Sequence, residues 1–197
     1  MASDSLVKHI SNYRVSSVLN RDVTSLGKQN LFDGNVETCW NSEQGTPQHI
    51  LVEFAQPVYL RELHVQFQGG FAGSKTRLID VDCKRDICPL FFEDNNALQT
   101  AKLPAAKQNV ARRRIKLQFV SSTDFYGRII VYSLDFRGSV AGEDTANGET
   151  ARLKLAEGGE TAEPHVTESK GTADSQPTGD GKHDADDDSP APVIVII

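Results

Sequence analysis

The stretch LFDGNVETCWNSEQG, Leu31 to Gly45, of this 197-residue sequence gathers carboxylates, hydroxyls, amides and a thiol that could do chemistry. It sets the only tryptophan, Trp40, beside an Asp33-Gly34 turn, Thr38 and Ser42. Such a loop reads three ways: oxygen donors for a metal, a ligand pocket with an aromatic wall, or a corner whose aspartate bonds to nearby backbone N–H groups. Cys83 and Cys88 are spaced C-x4-C, but two thiolates fall short of the four ligands zinc takes, and no histidine is near them in sequence. His49 and His64 belong to different predicted strands, with His64 on a polar face, and both read as surface residues. The run Arg112-Arg113-Arg114-Ile115-Lys116 is basic, yet it has no interleaved aromatics for base stacking. Arg114 and Lys116 alternate with apolar residues, which suits the solvated face of a strand and argues against direct nucleic-acid binding. No Ser-His-Asp order, paired acidic motif or glycine-rich phosphate loop is present, so an enzyme has no residue constellation behind it.

Strands must position these groups. In QHILVEF, Ile50, Val52 and Phe54 share a face; in RELHVQF, Leu63, Val65 and Phe67 do; in RRIKLQF, Ile115, Leu117 and Phe119 do. Ile130, Tyr132, Leu134 and Phe136 make a last stripe closed by Gly138. Further strands are expected at Arg14–Leu19 and Leu78–Val81, with a short helical turn within 105–113. Pro57, Gly69-Gly70, Gly73, Pro89, Pro104 and Gly127 punctuate the runs. Many short strands without strand–helix alternation predict an all-β sandwich.

Composition divides the chain. All nine Phe, four Tyr and the Trp lie at or before Phe136. Residues 140–192 hold thirteen acidic against four basic residues, a net of −9, whereas the whole chain is −6 and residues 1–139 are therefore +3. A segment so poor in large apolar groups cannot offset the entropy of ordering its backbone, so 140–192 is expected to be a disordered acidic tail. Residues 1–11 are expected to be a flexible N-terminus, and 12–139 the sandwich. The aliphatic end, Val193–Ile197, has Val195 and Ile197 spaced as alternating anchors for strand addition in a PDZ-like groove; the competing reading gives that end no role. No signal-peptide run, no stretch approaching about 20 apolar residues and no N-x-S/T acceptor occurs, and three cysteines make no full disulfide set. These absences predict a reducing compartment and no membrane partner.

LFDGNVETCWNS followed by HILVEF, VYLRELHVQF and GRIIVYSLDFRG resembles the discoidin, or coagulation-factor type C, family. The same order also resembles the Doc domains of a ubiquitin-ligase subunit. The pieces RVSSVLNR, LFDGNVETCWNSEQG, QFQGGF, EDNNALQT and TDFYGRIIVY are most similar to a small intracellular, nuclear-receptor-associated group within that family, over residues 12–139. The resemblance implies a galactose-binding-like jelly-roll β-sandwich. It implies a non-enzymatic protein of the nucleus, with cytoplasm as a second place, that binds an orphan nuclear receptor and represses it by hindering DNA binding. No LxxLL helix is present, so a receptor would be met by a folded surface.

The resemblance also assigns sites. Metal-binding members use the aspartate of the Asp-Gly turn and the threonine before the tryptophan, here Asp33 and Thr38, with a glutamate on the last strand. Counting back from Gly138, that glutamate position falls on Ser133. Calcium takes six to eight oxygens, so the expectation is no cofactor, a weak calcium site being the disfavoured remainder. Asp33, Gly34, Thr38, Trp40 and Ser42 then form a structural corner, with Trp40 in the core and its N–H needing an acceptor. Family members bind sugars, lipid headgroups or peptides through loops at one end of the sandwich. The candidates there are Phe71, Phe125 and Tyr126 as platforms, with Arg77 and Arg128 as anion partners; the plainer reading is rim aromatics. The alternative function is therefore carbohydrate or peptide recognition by a Doc-like domain.

Overall fold

A computed structural model describes residues 3–142 of the chain. The expected acidic tail beyond residue 142 and the aliphatic end 193–197 lie outside the described residues. Nine strands run in the order β1 (Asp4–Ser5), β2 (Ile10–Val15), β3 (Trp40–Asn41), β4 (Gln48–Phe67), β5 (Lys75–Asp80), β6 (Arg85–Phe91), β7 (Leu98–Lys102), β8 (Ala111–Ser121) and β9 (Ile130–Val140). Among the described residues a short α-helix, α1 (Ala105–Gln108), precedes β8, and 3-10 turns lie at Val7–His9, Leu19–Arg21 and Lys28–Leu31.

Every strand pair is antiparallel, and β4 belongs to both layers. Its first half, around Ile50–Phe54, pairs with β2 and β8, and β8 continues through β5 to β6. Its second half, from Val58 to Phe67, pairs with β9 and β7. β1 and β3 both add to β9. The chain is thus a jelly-roll sandwich whose two faces are joined by one bent strand. The bend lies at residues 55–57, where the pairing register of β4 shifts. Pro57 has no N–H to leave unpaired there, and its carbonyl accepts from Ala141 N at 2.8 Å. Pro89 likewise lies inside a strand, but on β6, the outermost strand of its layer.

The alternating residues of β4, β8 and β9 meet between the layers. Phe54 of β4 stands edge-on to Phe136 of β9 at 5.9 Å, and Phe67 of β4 edge-on to Phe119 of β8 at 5.9 Å. Trp40 closes the same core, 6.2 Å from Phe119. Gly138 permits a close approach of strands: a Cβ there would lie 1.9 Å from the Tyr59 carbonyl oxygen.

Two segments differ from expectation. Residues 4–9 are not a loose extension: Asp4 and Ser5 pair with Gly138 and Arg137, and Leu6 is buried in the core. Leu6 N also donates to the Phe136 carbonyl at 2.7 Å, which ties the segment to β9. The first long strand is Ile10–Val15, not Arg14–Leu19: beyond it the Ser16 and Ser17 hydroxyls bond to Gln48, and Asn20 and Arg21 take left-handed backbone (φ 52° and 58°).

Candidate functional site

The Leu31–Gly45 loop is held by its own side chains. Asp33 Oδ1 accepts from Asn35 N at 2.9 Å, and Thr38 Oγ1 donates to Asp33 Oδ2 at 2.6 Å. Gly34 supplies the left-handed residue (φ 72°) that closes the turn. Trp40 is fully buried and its Nε1–H donates to the Ser17 carbonyl at 2.9 Å. Ser42, also fully buried, accepts from Ile129 N through Oγ at 2.9 Å, while its own N–H donates to the Ile129 carbonyl at 2.9 Å. The corner therefore fastens the start of the domain to its last loop.

Gly34 and Ser133 line one cleft of about 460 Å³ together with Phe32, His64 and Asp135. Both Asp33 oxygens are engaged within the turn, Ser133 offers a hydroxyl where a carboxylate is wanted, and Asp135 accepts from Ser5 Oγ at 2.7 Å. This donor set is a poor match for calcium.

The opposite candidates gather where three loops meet. Ala72 N donates to Thr123 Oγ1 at 2.9 Å and Thr123 N donates to the Ala72 carbonyl at 3.0 Å, tying the loop after β4 to the loop after β8. Gly45 N donates to the Tyr126 carbonyl at 2.7 Å, adding the loop after Trp40. Gly127 (φ 80°) fits against Gly45, where a Cβ would come within 3.0 Å of backbone. On this platform Phe125 is 93% and Tyr126 57% exposed, their rings edge-to-face at 5.2 Å. Behind them the Arg128 guanidinium lies 4.8 Å over the Phe71 ring. Arg128 is aimed by Asp124, whose carboxylate accepts from both Arg128 N and Nε at 3.0 and 3.1 Å. Those hydrogen bonds hold the Asp124 carboxyl below, and the Arg128 guanidinium above, their ordinary pKa values.

Arg77 does not join this group. It stands mid-strand on β5, opposite Gln118 and Pro89, with Nε donating to Asp86 at 3.1 Å. Arg112 does not share the solvated face expected of Arg114 and Lys116: it is buried, donating Nη1 to the Lys107 and Val110 carbonyls at 2.8 and 2.9 Å. The register shift of β4 opposite it breaks the parity that Arg114 and Lys116 follow. His64 is half-buried against Glu62 at 3.2 Å rather than free on the surface. His49 is half-buried too, and burial with the nearby Lys116 charge pushes its pKa down.

Gln48 had no mark in the sequence. It is buried, its Oε1 accepts from Ser16 and Ser17 hydroxyls, and its Nε2 donates to the Glu43 and Gly45 carbonyls at 3.1 and 2.7 Å. It thereby sets the loop on which Gly45 meets Tyr126. Only its place at an alternating inward position of QHILVEF hinted at burial.

No family model matches the chain. Curated relatives do. A Danio rerio protein named nuclear receptor 2C2-associated protein is 47% identical over 139 residues, 69% of this chain and 96% of the relative. The Xenopus laevis protein of that name is 51% identical over 64% of this chain and 91% of its own length, and the Homo sapiens one 43% identical over 64% and 89%. Among solved structures, an F5/8 type C domain from Bacteroides fragilis matches with TM-score 0.56 at 13% identity, covering 70% of this chain and 97% of that domain. A family 32 carbohydrate-binding module from C. perfringens, solved in complex with galactose, matches with TM-score 0.54 at 16% identity, covering 69% and 99%. At such identities these structures speak for the fold alone.

Proposed function

The chain belongs to the nuclear receptor 2C2-associated protein family, and on that premise we propose that it is a non-enzymatic interaction module that binds a nuclear receptor and represses it by hindering its attachment to DNA. It would act in the nucleus and secondarily in the cytoplasm. The carrying observation is the Phe125–Tyr126 pair, exposed on a loop whose backbone is fastened to two others. Aromatic side chains held out by a rigid scaffold are the anchors that dominate protein interfaces. Arg128, oriented by Asp124, adds a charge beside them.

A role without direct nucleic-acid contact is supported by the basic run. Arg112 is buried, and Arg113 and Arg114 face Glu53 and Asp82 at 3.8 and 2.6 Å. The sugar alternative draws less support, because Arg128 covers a face of the Phe71 ring on which a sugar would stack.

Anisotropy of receptor 2C2 on a labelled DNA element, titrated with the full chain, tests the proposal. Wild type is expected to release the receptor. The Phe125→Ala, Tyr126→Ala double variant should do so about 10- to 100-fold less potently, as loss of interface anchors does, with unchanged melting temperature. A receptor that stays on DNA in the presence of folded wild-type chain would overturn the reading. Galactose binding lost on Phe125→Ala would replace it with the sugar alternative.

A further inference from the structure

Away from the loop end, a cleft of about 340 Å³ opens beside β2, lined by Arg14, Val15, Val18, Val23, Lys28 and Gln29. Its floor is aliphatic: Val15 and Val18 are half-buried against the core, and Val23 is 61% exposed on the rim. Two cations flank it. Lys28 Nζ donates to the Tyr13 carbonyl at 2.7 Å and lies 4.8 Å over the Tyr13 ring, while Arg14 is exposed. The neighbouring acid, Asp22, is already engaged by Ser25 N at 3.0 Å.

The segment that forms the wall is held at a conformational cost. Asn20 and Arg21, between Val18 and Val23, both have positive φ, a region that arginine visits far more rarely than asparagine does. Gln29 Nε2 clamps the returning chain by donating to the Val23 and Thr24 carbonyls at 2.7 and 3.1 Å. Strain of this kind persists where the surroundings over-determine it, and it is a reason to ask what the site holds.

We propose that this cleft takes the chain's own aliphatic end, Val193–Ile197, in cis. The match is in chemistry. The run VIVII offers small β-branched groups of the kind that line the cleft, and Asp184, Asp186, Asp187 and Asp188 just before it offer charges opposite to Arg14 and Lys28. Fifty residues separate Gly142 from Val193, and at about 3.3 Å each when extended they exceed any dimension of a domain this size. The matched part of the curated relatives is at most 139 residues long, so the pairing would be a property of this chain beyond its likeness to them.

The test is a photo-crosslinker (p-benzoyl-phenylalanine) at position 195 of the full chain, with crosslinked peptides mapped by mass spectrometry. Crosslinks confined to residues 14–29, with a yield independent of dilution, are expected. Val23→Glu changes an exposed residue and should cut the yield about tenfold, the equilibrium effect of about 1.4 kcal/mol; raised salt should also lower it. Crosslinks elsewhere on the domain, none at all, a yield unmoved by Val23→Glu, or dimers that grow with concentration would each overturn the proposal. So would capture of the unmodified chain by a PDZ domain at full occupancy with Val23→Glu making no difference to the affinity.

Discussion

Arg112 and Asp80 face each other across 3.7 Å with side chains only 3% and 9% exposed, one at the start of β8 and the other at the end of β5. Asp80 also accepts from Asp82 N and Cys83 N at 3.1 Å, closing the β5–β6 turn. Removing Arg112 leaves the buried Asp80 carboxylate without its counter-charge, held only by those two backbone donors. Arg112→Ala is therefore expected to cost about 3–5 kcal/mol in urea unfolding. Arg114→Ala, which removes an exposed pair with Asp82, should cost less than about 1 kcal/mol. Equal effects of the two would show that burial is not what distinguishes them.

How far the sequence revealed these features depends on the range of the interactions. Ile50, Val52, Phe54, Leu63, Val65 and Phe67 could be placed from alternation, because side-chain period is a local property and all six are buried. The sandwich class followed from such runs. That QHILVEF and RELHVQF are one strand, bent at Pro57, was hidden: whether a proline ends a strand depends on what pairs beside it. The burial of Arg112 was not legible, because its partner lies thirty-two positions away and the strand beside it shifts register there. Among the binding candidates, Phe71, Phe125, Tyr126 and Arg128 came together since each sits in a loop at one end. Arg77 did not, because its neighbours Lys75, Thr76 and Leu78 carry it into β5.

Asp33→Ala removes the acceptor for both Asn35 N and Thr38 Oγ1. A cost of about 1 kcal/mol is expected, as for loss of a capping side chain, with receptor binding unchanged. Since bound ligand raises stability by mass action, millimolar calcium should leave the melting temperature where it was. A calcium-dependent rise that Asp33→Ala abolishes would establish a metal site in the corner after all.

Trp40 is the sole tryptophan and is fully buried, so its emission reports the corner directly. Folded chain should emit in the blue and shift red on unfolding. Trp40→Ala should cost about 3–5 kcal/mol, the range for emptying a large aromatic site. Trp40→Phe keeps most of the contact with Phe119 but leaves the Ser17 carbonyl without its donor, for about 1–3 kcal/mol. A Phe variant as unstable as the Ala variant would assign the whole effect to the hydrogen bond.

Cys83 and Cys88 should separate cleanly by reactivity. Cys83 is exposed in the β5–β6 turn, whereas Cys88 is buried on β6, and burial pushes its thiol up to about 11 against the pull of Arg112 and Lys107. The thiolate is the nucleophile, so iodoacetamide at pH 8 should label Cys83 and spare Cys88 until the chain unfolds; Cys39, also raised by burial, should lag. The sign of the linked stability follows. The fold favours the neutral thiol, so above the ordinary value of 9.0 the unfolded chain ionises first. The Cys88 contribution is complete below that pH and is lost as pH rises toward about 11. Cys88→Ala should flatten this part of the alkaline stability profile, and an unchanged profile would mean that the thiol does not carry it.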